Sequence, residues 1–255
     1  IDPDKAGLLD LDYVFRFLKR YPDTNSLIIN GGDPLMVDPS YYWKIIEHLD
    51  EHDYPAHISF TTNLWPFYVK PEKWVDLFNH DRMGICTSFQ YGGGRLKGDL
   101  TEFTEEDFWA VSDAMLKYCG ERPDFIAVLT DMNDYRALDN VKLAKEMNVE
   151  CKLNYAMASG VQGTTYRLSK IYQLYLDVYD AGLHPWEFNT KQMMRRLKRG
   201  FTTCPQNRNC DEGIRAFNPG GDYYSCGSLA DDLDYPINFD EEMNGPMQTP
   251  LQNDP

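Results

Sequence analysis

The stretch that decides the fold is SLIINGGDPL, residues 26–35, a short apolar run that ends in two glycines, an acid and a proline. The run predicts a buried strand, and the glycines allow a sharp turn where it ends. DPS at residues 38–40 is a helix-start signal. Ligands bind in the loops after parallel strands, so Gly31 and Gly32 should present backbone groups there and Asp33 a charge suited to an ammonium. Taken alone, these residues are more typical of a plain turn than of a ligand site.

The rest of the chain alternates helical and strand patterns. Apolar periodicity predicts helices at residues 10–19, 41–52, 71–78, 104–118, 136–147 and 168–181. Four further strands are predicted, each ending in polar residues or glycine, at residues 56–62, 83–90, 124–130 and 149–155. This alternation indicates an α/β fold of parallel strands with helical crossovers, either a barrel or a doubly wound sheet.

Composition excludes several classes of protein. The 255 residues carry a formal net charge of −15, which argues against nucleic acid held by its phosphates. No run approaches the ~18 apolar residues of a membrane span, and no signal peptide is recognised. The six cysteines fit a reduced, cytoplasmic chain better than a disulfide scaffold.

Three cysteines gather late in the chain, at Cys204, Cys210 and Cys226. NPGG at residues 218–221 is a hairpin signal that would bring the last two together. Thiolates gathered in this way indicate zinc or an iron–sulfur cluster. The absence of C-x2-C pairs favours the cluster, although unligated or disulfide-bonded cysteines remain an alternative.

These motifs, taken in order, resemble the radical S-adenosylmethionine (AdoMet) enzymes. GGDP resembles their Gly-Gly-Glu-Pro motif, and TTN, SFQYG, VLTDMN and NYAMASG fit the later strand ends. Cys210-x10-Gly221-x4-Cys226 matches the opening of the SPASM or twitch extension that binds auxiliary clusters. The resemblance spans nearly the whole chain. It implies a partial (β/α)6 TIM-like barrel over residues 1–183 and a small iron–sulfur hairpin segment over residues 184–255.

The resemblance also implies the ligands of each cofactor. Gly31, Gly32 and Asp33 would meet the amino group of AdoMet, with Asp in place of the commoner Glu and Pro34 completing the motif. The later strand ends would supply further cofactor-binding residues, Asn63, Ser88 and Gln90 for methionine or ribose, and Asn133 and Asn154 for the adenosine or substrate side. An auxiliary [4Fe-4S] cluster would be ligated by Cys204, Cys210 and Cys226.

The implied activity is that of an oxidoreductase acting on a peptide or protein. A reduced [4Fe-4S] cluster cleaves AdoMet, and the deoxyadenosyl radical abstracts a hydrogen from a side chain, which is then oxidised or cross-linked. A flavodoxin or ferredoxin would donate the electron. The acidic composition suits a basic peptide.

One departure from the family leaves two interpretations open. The motif C-x3-C-x2-C, which holds the catalytic cluster, is absent from this sequence. Either the sequence is trimmed at both ends, or the protein has lost the cluster. The second interpretation predicts an inactive barrel that binds a peptide and keeps a structural metal site. A hydrolytic or lyase barrel with zinc at the terminal cysteines is a third hypothesis.

Other local patterns favour structural interpretations. His48 and His52 lie four residues apart on a helix, but without H-E-x-x-H a solvated face is favoured. YGGGR at residues 91–95 lacks the lysine of a P-loop, which favours a flexible strand-end loop. Cys86 is predicted to be a small buried residue.

Overall fold

Five parallel strands form one sheet in the order in which they occur along the chain. They are β1 (Ser26–Ile29), β2 (His57–Thr62), β3 (Met83–Ser88), β4 (Asp124–Leu129) and β5 (Cys151–Tyr155). The computed structural model describes residues 7–30, 32–92, 94–156, 166–199, 213–225 and 235–245. A doubly wound sheet reverses its strand order at a switch point, whereas a barrel does not. The sheet is therefore a half-barrel, and all five predicted strands are confirmed.

Helices follow the strands as predicted. They are α1 (Leu11–Arg20), α2 (Pro39–Glu51), α3 (Trp65–Val69), α4 (Val75–Phe78), α5 (Glu105–Cys119), α6 (Ala137–Met147), α7 (Leu168–Asp180), α8 (Phe188–Arg199) and α9 (Phe239–Asn244). Polar side chains start several of them, because they accept from backbone N–H groups that the helix leaves unpaired. Asp10, Asp38 and Thr104 cap α1, α2 and α5 in this way. No helix in the described part of the chain is both long and apolar enough to cross a membrane.

The two faces of the sheet differ in burial. In β2, Ile58 and Phe60 are fully buried beneath the helices, while Ser59 and Thr61 are partly exposed on the other face. On that second face Ile28 is 64% exposed. We call it the inner face, and the register places these residues on it: Ser59, Thr61, Gly84, Cys86, Ser88, Asp124, Ile126, Lys152 and Asn154. A mostly polar, partly exposed inner face is available to line a ligand cavity.

Two stretches depart from the sequence prediction. The single helix predicted for residues 71–78 is a 3-10 turn, Pro71–Lys73, followed by α4, and α3 precedes it unpredicted. The segment after residue 231 is acidic and lacks helical periodicity, which predicts loop, yet it contains α9. The physical reason is a cap, because the Asn238 side chain accepts from the Glu241 N–H at 3.2 Å.

The predicted hairpin is confirmed, with β6 (Ala216–Phe217) antiparallel to β7 (Tyr223–Tyr224). The hairpin and α9 pack on α1 through aromatic rings. Phe17 of α1 meets Phe217 edge-on at 5.8 Å, and Tyr13 meets Phe239 at 5.1 Å. Beneath these rings the Glu242 carboxylate accepts from the Tyr21 hydroxyl, the Tyr223 hydroxyl and the Arg215 guanidinium. One carboxylate thus joins α1, the hairpin and α9.

Replacement of Glu242 by glutamine should loosen this junction and change its response to acid. Burial acts to raise the pKa of Glu242, but the donors from Tyr21, Tyr223 and Arg215 outweigh it and hold the pKa below its usual value. A lowered pKa contributes stability above the unfolded pKa of about 4.3, which is lost as the pH falls through the folded pKa. We expect Glu242→Gln to lower the unfolding free energy by about 1–2 kcal/mol at neutral pH.

Urea unfolding of both proteins across the acidic range checks this expectation. The difference in stability should shrink as the pH falls below about 4. Glu241→Gln is the matched control, because no ion pair of Glu241 occurs within the described ranges. A difference that stays constant with pH would contradict the assignment.

Glu187 joins the segment after residue 183 to the sheet. It is fully buried, forms a parallel bridge with Cys151, and its carboxylate accepts from the Leu153 N–H and from the N–H and hydroxyl of Thr190. The same carboxylate occupies the start of α8. The domain boundary at residue 183 stays a prediction.

Candidate functional site

The loop after β1 is held in place by the carboxylate of Asp33. Its Oδ1 accepts from the Leu35 N–H at 2.9 Å and from the Thr62 hydroxyl at 2.8 Å, and its Oδ2 accepts from the Asn63 N–H at 3.3 Å. Gly32 beside it has a φ of 54°, which glycine adopts without strain. Asp33 therefore joins the ends of β1 and β2, and within the described ranges Oδ2 accepts from Asn63 alone, which leaves it a second acceptor position. Gly31 lies outside the described residues.

Pro34 stabilises this loop rather than exposing itself at the surface. It is buried at the start of a 3-10 turn, Pro34–Met36, and its carbonyl accepts from the Tyr42 hydroxyl at 2.8 Å. Burial raises the pKa of Tyr42, in keeping with a hydroxyl that stays protonated as a donor. The first loop thus rests on α2.

The end of β2 turns sharply into α3. Leu64 is fully buried with a φ of 61°, a conformation that costs a non-glycine residue energy. The Asn63 side-chain oxygen Oδ1 accepts from the Trp65 N–H at 2.8 Å, and among the described residues its side-chain nitrogen Nδ2 has no partner. Asn63 can therefore donate to a ligand.

The end of β3 carries a feature that sequence analysis missed. Arg95 reaches back from the following loop, and its guanidinium donates to the Ser88 hydroxyl at 2.8 Å and to the Gln90 side-chain oxygen at 2.7 Å. Ser88 is only 8% exposed and lies on the inner face. Ser88 and Gln90, both predicted to bind the cofactor, are thus joined by Arg95, which the sequence pattern placed in a flexible loop.

Arg95 is a shielded cation whose charge the described protein does not balance. Burial lowers the pKa of Arg95 to about 10, so it is still charged at neutral pH. No carboxylate pairs with it among the described residues. A guanidinium has five N–H donors and two are used here, which leaves three for a ligand. This arrangement favours an anionic ligand with two oxygens.

Asn133, at the end of β4, is committed to its own turn. It is 4% exposed, its oxygen accepts from the Thr130 N–H at 2.8 Å, and its nitrogen donates to the Val128 carbonyl at 3.1 Å. The loop after β3 packs against it, since a Cβ on Gly92 would lie 2.6 Å from the Asn133 Cβ. Asn133 fixes the relative position of two loops, while its predicted contact with a ligand stays a prediction.

The inner face of β4 and β5 continues the site. Asn154 lies opposite Val128 in the register, and its side chain has no hydrogen bond among the described residues. Cys86, predicted to be buried, is partly buried and lies opposite Asp124. Burial and the neighbouring Asp124 raise the pKa of Cys86 to about 11, so it is a protonated thiol at neutral pH. Asn154 is thus available to a ligand, and Cys86 is a poor nucleophile.

A cavity of about 340 Å³ opens beside Arg95, between the loop after β3 and the start of α5. Gln90, Arg95, Glu105 and Arg136 are among its lining residues. Its volume falls in the range of small-molecule sites. A ligand bound by Arg95 therefore has room to extend beyond the strand ends.

The predicted metal ligands Cys204, Cys210 and Cys226 lie outside the described residues. The described cysteines, Cys86, Cys119 and Cys151, are free thiols on separate elements. Within the described ranges only one group of three candidate ligands comes together, and it contains no cysteine. The described residues thus include the residues predicted to bind AdoMet, apart from Gly31, and none of the predicted cluster ligands.

Solved structures with a similar fold carry ligands. Native anSMEcpe with bound AdoMet matches with a TM-score of 0.66 at 15% identity, over 86% of this chain and 65% of that chain. A histidine-tagged form of anSMEcpe with bound AdoMet matches with a TM-score of 0.68 at 13% identity, over 94% of this chain and 69% of that chain. Native anSMEcpe with bound AdoMet and Cp18Cys peptide matches with a TM-score of 0.67 at 13% identity, over 94% of this chain and 73% of that chain.

These likenesses show the fold, a barrel-type arrangement of parallel strands and helices. The chain spans about 65% of the length of the first of these structures. No family model and no curated protein sequence matches the chain.

Proposed function

We propose that this chain binds AdoMet at the carboxyl ends of its strands and belongs to a radical AdoMet enzyme that modifies a peptide or protein side chain. The observation that carries the proposal is Arg95, a shielded guanidinium without an acidic partner among the described residues. It lies among strand-end residues that resemble those of radical AdoMet enzymes. The anSMEcpe structures of similar fold bind AdoMet.

The amino-acid end of AdoMet fits the polar groups of the site. Its carboxylate would accept from the free N–H groups of Arg95 and from the hydroxyl of Ser88, which is free to donate because it accepts from Arg95. Its ammonium would lie near Asp33, whose Oδ2 has a free acceptor position. Opposite charges at opposite ends of one amino-acid group would orient the methionine.

The rest of the cofactor would lie over the inner face. Asn63 and Asn154 offer amide groups to ribose or adenine, and the cavity beside Gln90 gives space. The acidic chain, with a net charge of −15, also favours a ligand that carries a sulfonium cation.

A reduced [4Fe-4S] cluster would supply the electron that cleaves AdoMet for hydrogen abstraction. We assign the catalytic cluster to residues outside this sequence, because C-x3-C-x2-C does not occur in it. An auxiliary cluster is assigned to Cys204, Cys210 and Cys226 on the family resemblance. The residues of this chain hold and orient AdoMet and shield it from water at the strand ends.

A peptide or protein is the proposed substrate, with a flavodoxin or ferredoxin as electron donor. The inner face of the half-barrel is mostly polar and partly exposed, which suits the binding of a polar peptide. Native anSMEcpe was solved with AdoMet and the Kp18Cys peptide, at 14% identity and a TM-score of 0.65 over 88% of this chain and 67% of that one.

Two measurements test the proposal. Calorimetric titration of the chain should show AdoMet and S-adenosylhomocysteine binding at least ~10-fold more tightly than adenosine, which lacks the carboxylate. Anaerobic reconstitution of the intact gene product with iron and sulfide, followed by reduction, should release 5′-deoxyadenosine from AdoMet.

The outcomes separate binding from chemistry. Equal affinities for adenosine and AdoMet would overturn the assignment of Arg95. If the reconstituted protein binds AdoMet but releases no 5′-deoxyadenosine, the proposed radical function is overturned. A barrel that binds AdoMet without catalysis would remain. One zinc and no iron in the purified gene product would favour a different chemistry at the terminal cysteines.

A further inference from the structure

His48, Glu51 and His52 come together at the carboxyl end of α2. One potential ligand atom from each lies within 4.8 Å of the others. The spacing explains this, because residues three and four apart share one face of a helix. Glu51 and His52 are exposed, and His48 is partly buried. The group therefore faces solvent from a folded helix and needs only small side-chain movements to close on an ion.

The imidazole of His52 is held in the form that binds metals. Its Nδ1 lies 3.0 Å from the His48 carbonyl oxygen. A carbonyl oxygen only accepts, so Nδ1 carries the hydrogen and Nε2 keeps its lone pair. Metal-binding histidines commonly donate their other N–H to a backbone carbonyl in this way.

The imidazole of His48 is positioned by rings, and one of its two nitrogens has no hydrogen-bond partner among the described residues. It stacks on Phe15 at 4.0 Å and faces the ring of His52 at 4.3 Å. Its Nε2 is shielded from solvent and has no hydrogen-bond partner among the described residues. Such an orphaned nitrogen costs free energy, which a metal bonded directly to Nε2 would offset.

We propose that His48, Glu51 and His52 form a Zn²⁺ site with an open fourth position for water. Two imidazoles and a carboxylate are ligands that zinc accepts in a tetrahedral arrangement. The last turn of a helix carries partial negative charge, which further favours a cation. α2 leads directly into β2, so the site lies at the amino ends of the strands, opposite the candidate AdoMet site.

A bound ion would link His48, inside α2, to Glu51 and His52 at its carboxyl end. It would stabilise the fold, because it binds only the folded arrangement of these residues. Free zinc at 100 times its dissociation constant should raise the melting temperature by about 5 °C or more. The site is independent of the proposed AdoMet chemistry, and AdoMet affinity should not change when zinc is bound.

Zinc titration of the whole chain and two variants tests the proposal. Glu51→Gln leaves both imidazoles in place and removes the charged ligand, whereas His52→Gln removes one imidazole. Each should weaken zinc binding at one site at least ~10-fold and abolish the rise in melting temperature. Glu47→Gln is the matched control, an exposed glutamate on the same helix.

The cysteines could also bind zinc, so the difference between proteins is the result that counts. Cobalt substitution separates the two kinds of site, because only thiolate ligands give an intense thiolate-to-cobalt charge-transfer band. The loss of one cobalt equivalent in His52→Gln without loss of that band supports the site. Equal zinc stoichiometry and equal melting shifts in wild type, Glu51→Gln and His52→Gln would overturn it.

Discussion

Replacement of Arg95 by methionine should weaken AdoMet binding roughly 10–100-fold, because charged hydrogen bonds of about 1.5–3 kcal/mol are lost. Methionine keeps the apolar stem of the side chain and removes the guanidinium that donates to Ser88 and Gln90. The stability of the protein should be unchanged or higher, since the described residues offer this shielded charge no carboxylate. Weaker binding without lost stability is the signature of a ligand-binding residue.

Calorimetry with AdoMet and urea unfolding measure the two effects. Arg122→Met is the matched control, because Arg122 pairs with Asp113 on the surface of α5. Arg95→Lys should recover only part of the affinity, since lysine lacks the planar pair of donors. Unchanged AdoMet affinity in Arg95→Met would remove the main support for the proposed function.

Replacement of Asp33 by alanine should lower the unfolding free energy by about 2–4 kcal/mol and abolish measurable AdoMet binding. Three donors lose their acceptor at once, from Leu35, Thr62 and Asn63. The loop after β1 then separates from the end of β2. Chemical unfolding and AdoMet titration check the two parts of the expectation.

The variant Asp33→Asn separates the structural role of this residue from its charge. Asparagine keeps one oxygen acceptor, so most of the stability should return. The negative charge proposed to attract the ammonium is gone, so AdoMet affinity should still fall. Asp38→Ala, which removes a cap from α2, is a control expected to cost about 1 kcal/mol. Full AdoMet affinity in Asp33→Asn would show that the ligand does not use this charge.

Local patterns were enough to predict the strands and the edge of the sheet at which the candidate site residues gather. Short apolar runs such as residues 26–30 are bounded by glycine and polar residues, and these signals lie within a few residues of each other. The order of the strands needed the structure, because alternation suits both a barrel and a doubly wound sheet. The resemblance carried by GGDP favoured a partial barrel, and the sheet observed is a half-barrel.

The roles of individual site residues were harder to predict, because they depend on which strand ends the loops fold back to contact. Arg95 follows β3 by seven residues, and no local pattern shows that its side chain reaches back to Ser88. Asn133 looks like a ligand in the sequence, but its amide groups bond to its own turn. Asp33 was expected to face a ligand, and most of its acceptor positions are used by neighbouring loops.

The packing of the C-terminal segment on α1 has a consequence for the order of folding. Val14 and Leu18 of α1 join the core beside the sheet, whereas the ring of Phe17 contacts Phe217 and Tyr223 of the hairpin. Arg16 and its partner Asp240 are 224 residues apart. At about 5–20 residues per second, a ribosome needs roughly 10–45 s to span that distance. During that time the strands can pair in the order in which they are made. The face of α1 that carries Arg16 and Phe17 stays uncovered until the hairpin and α9 have been synthesised.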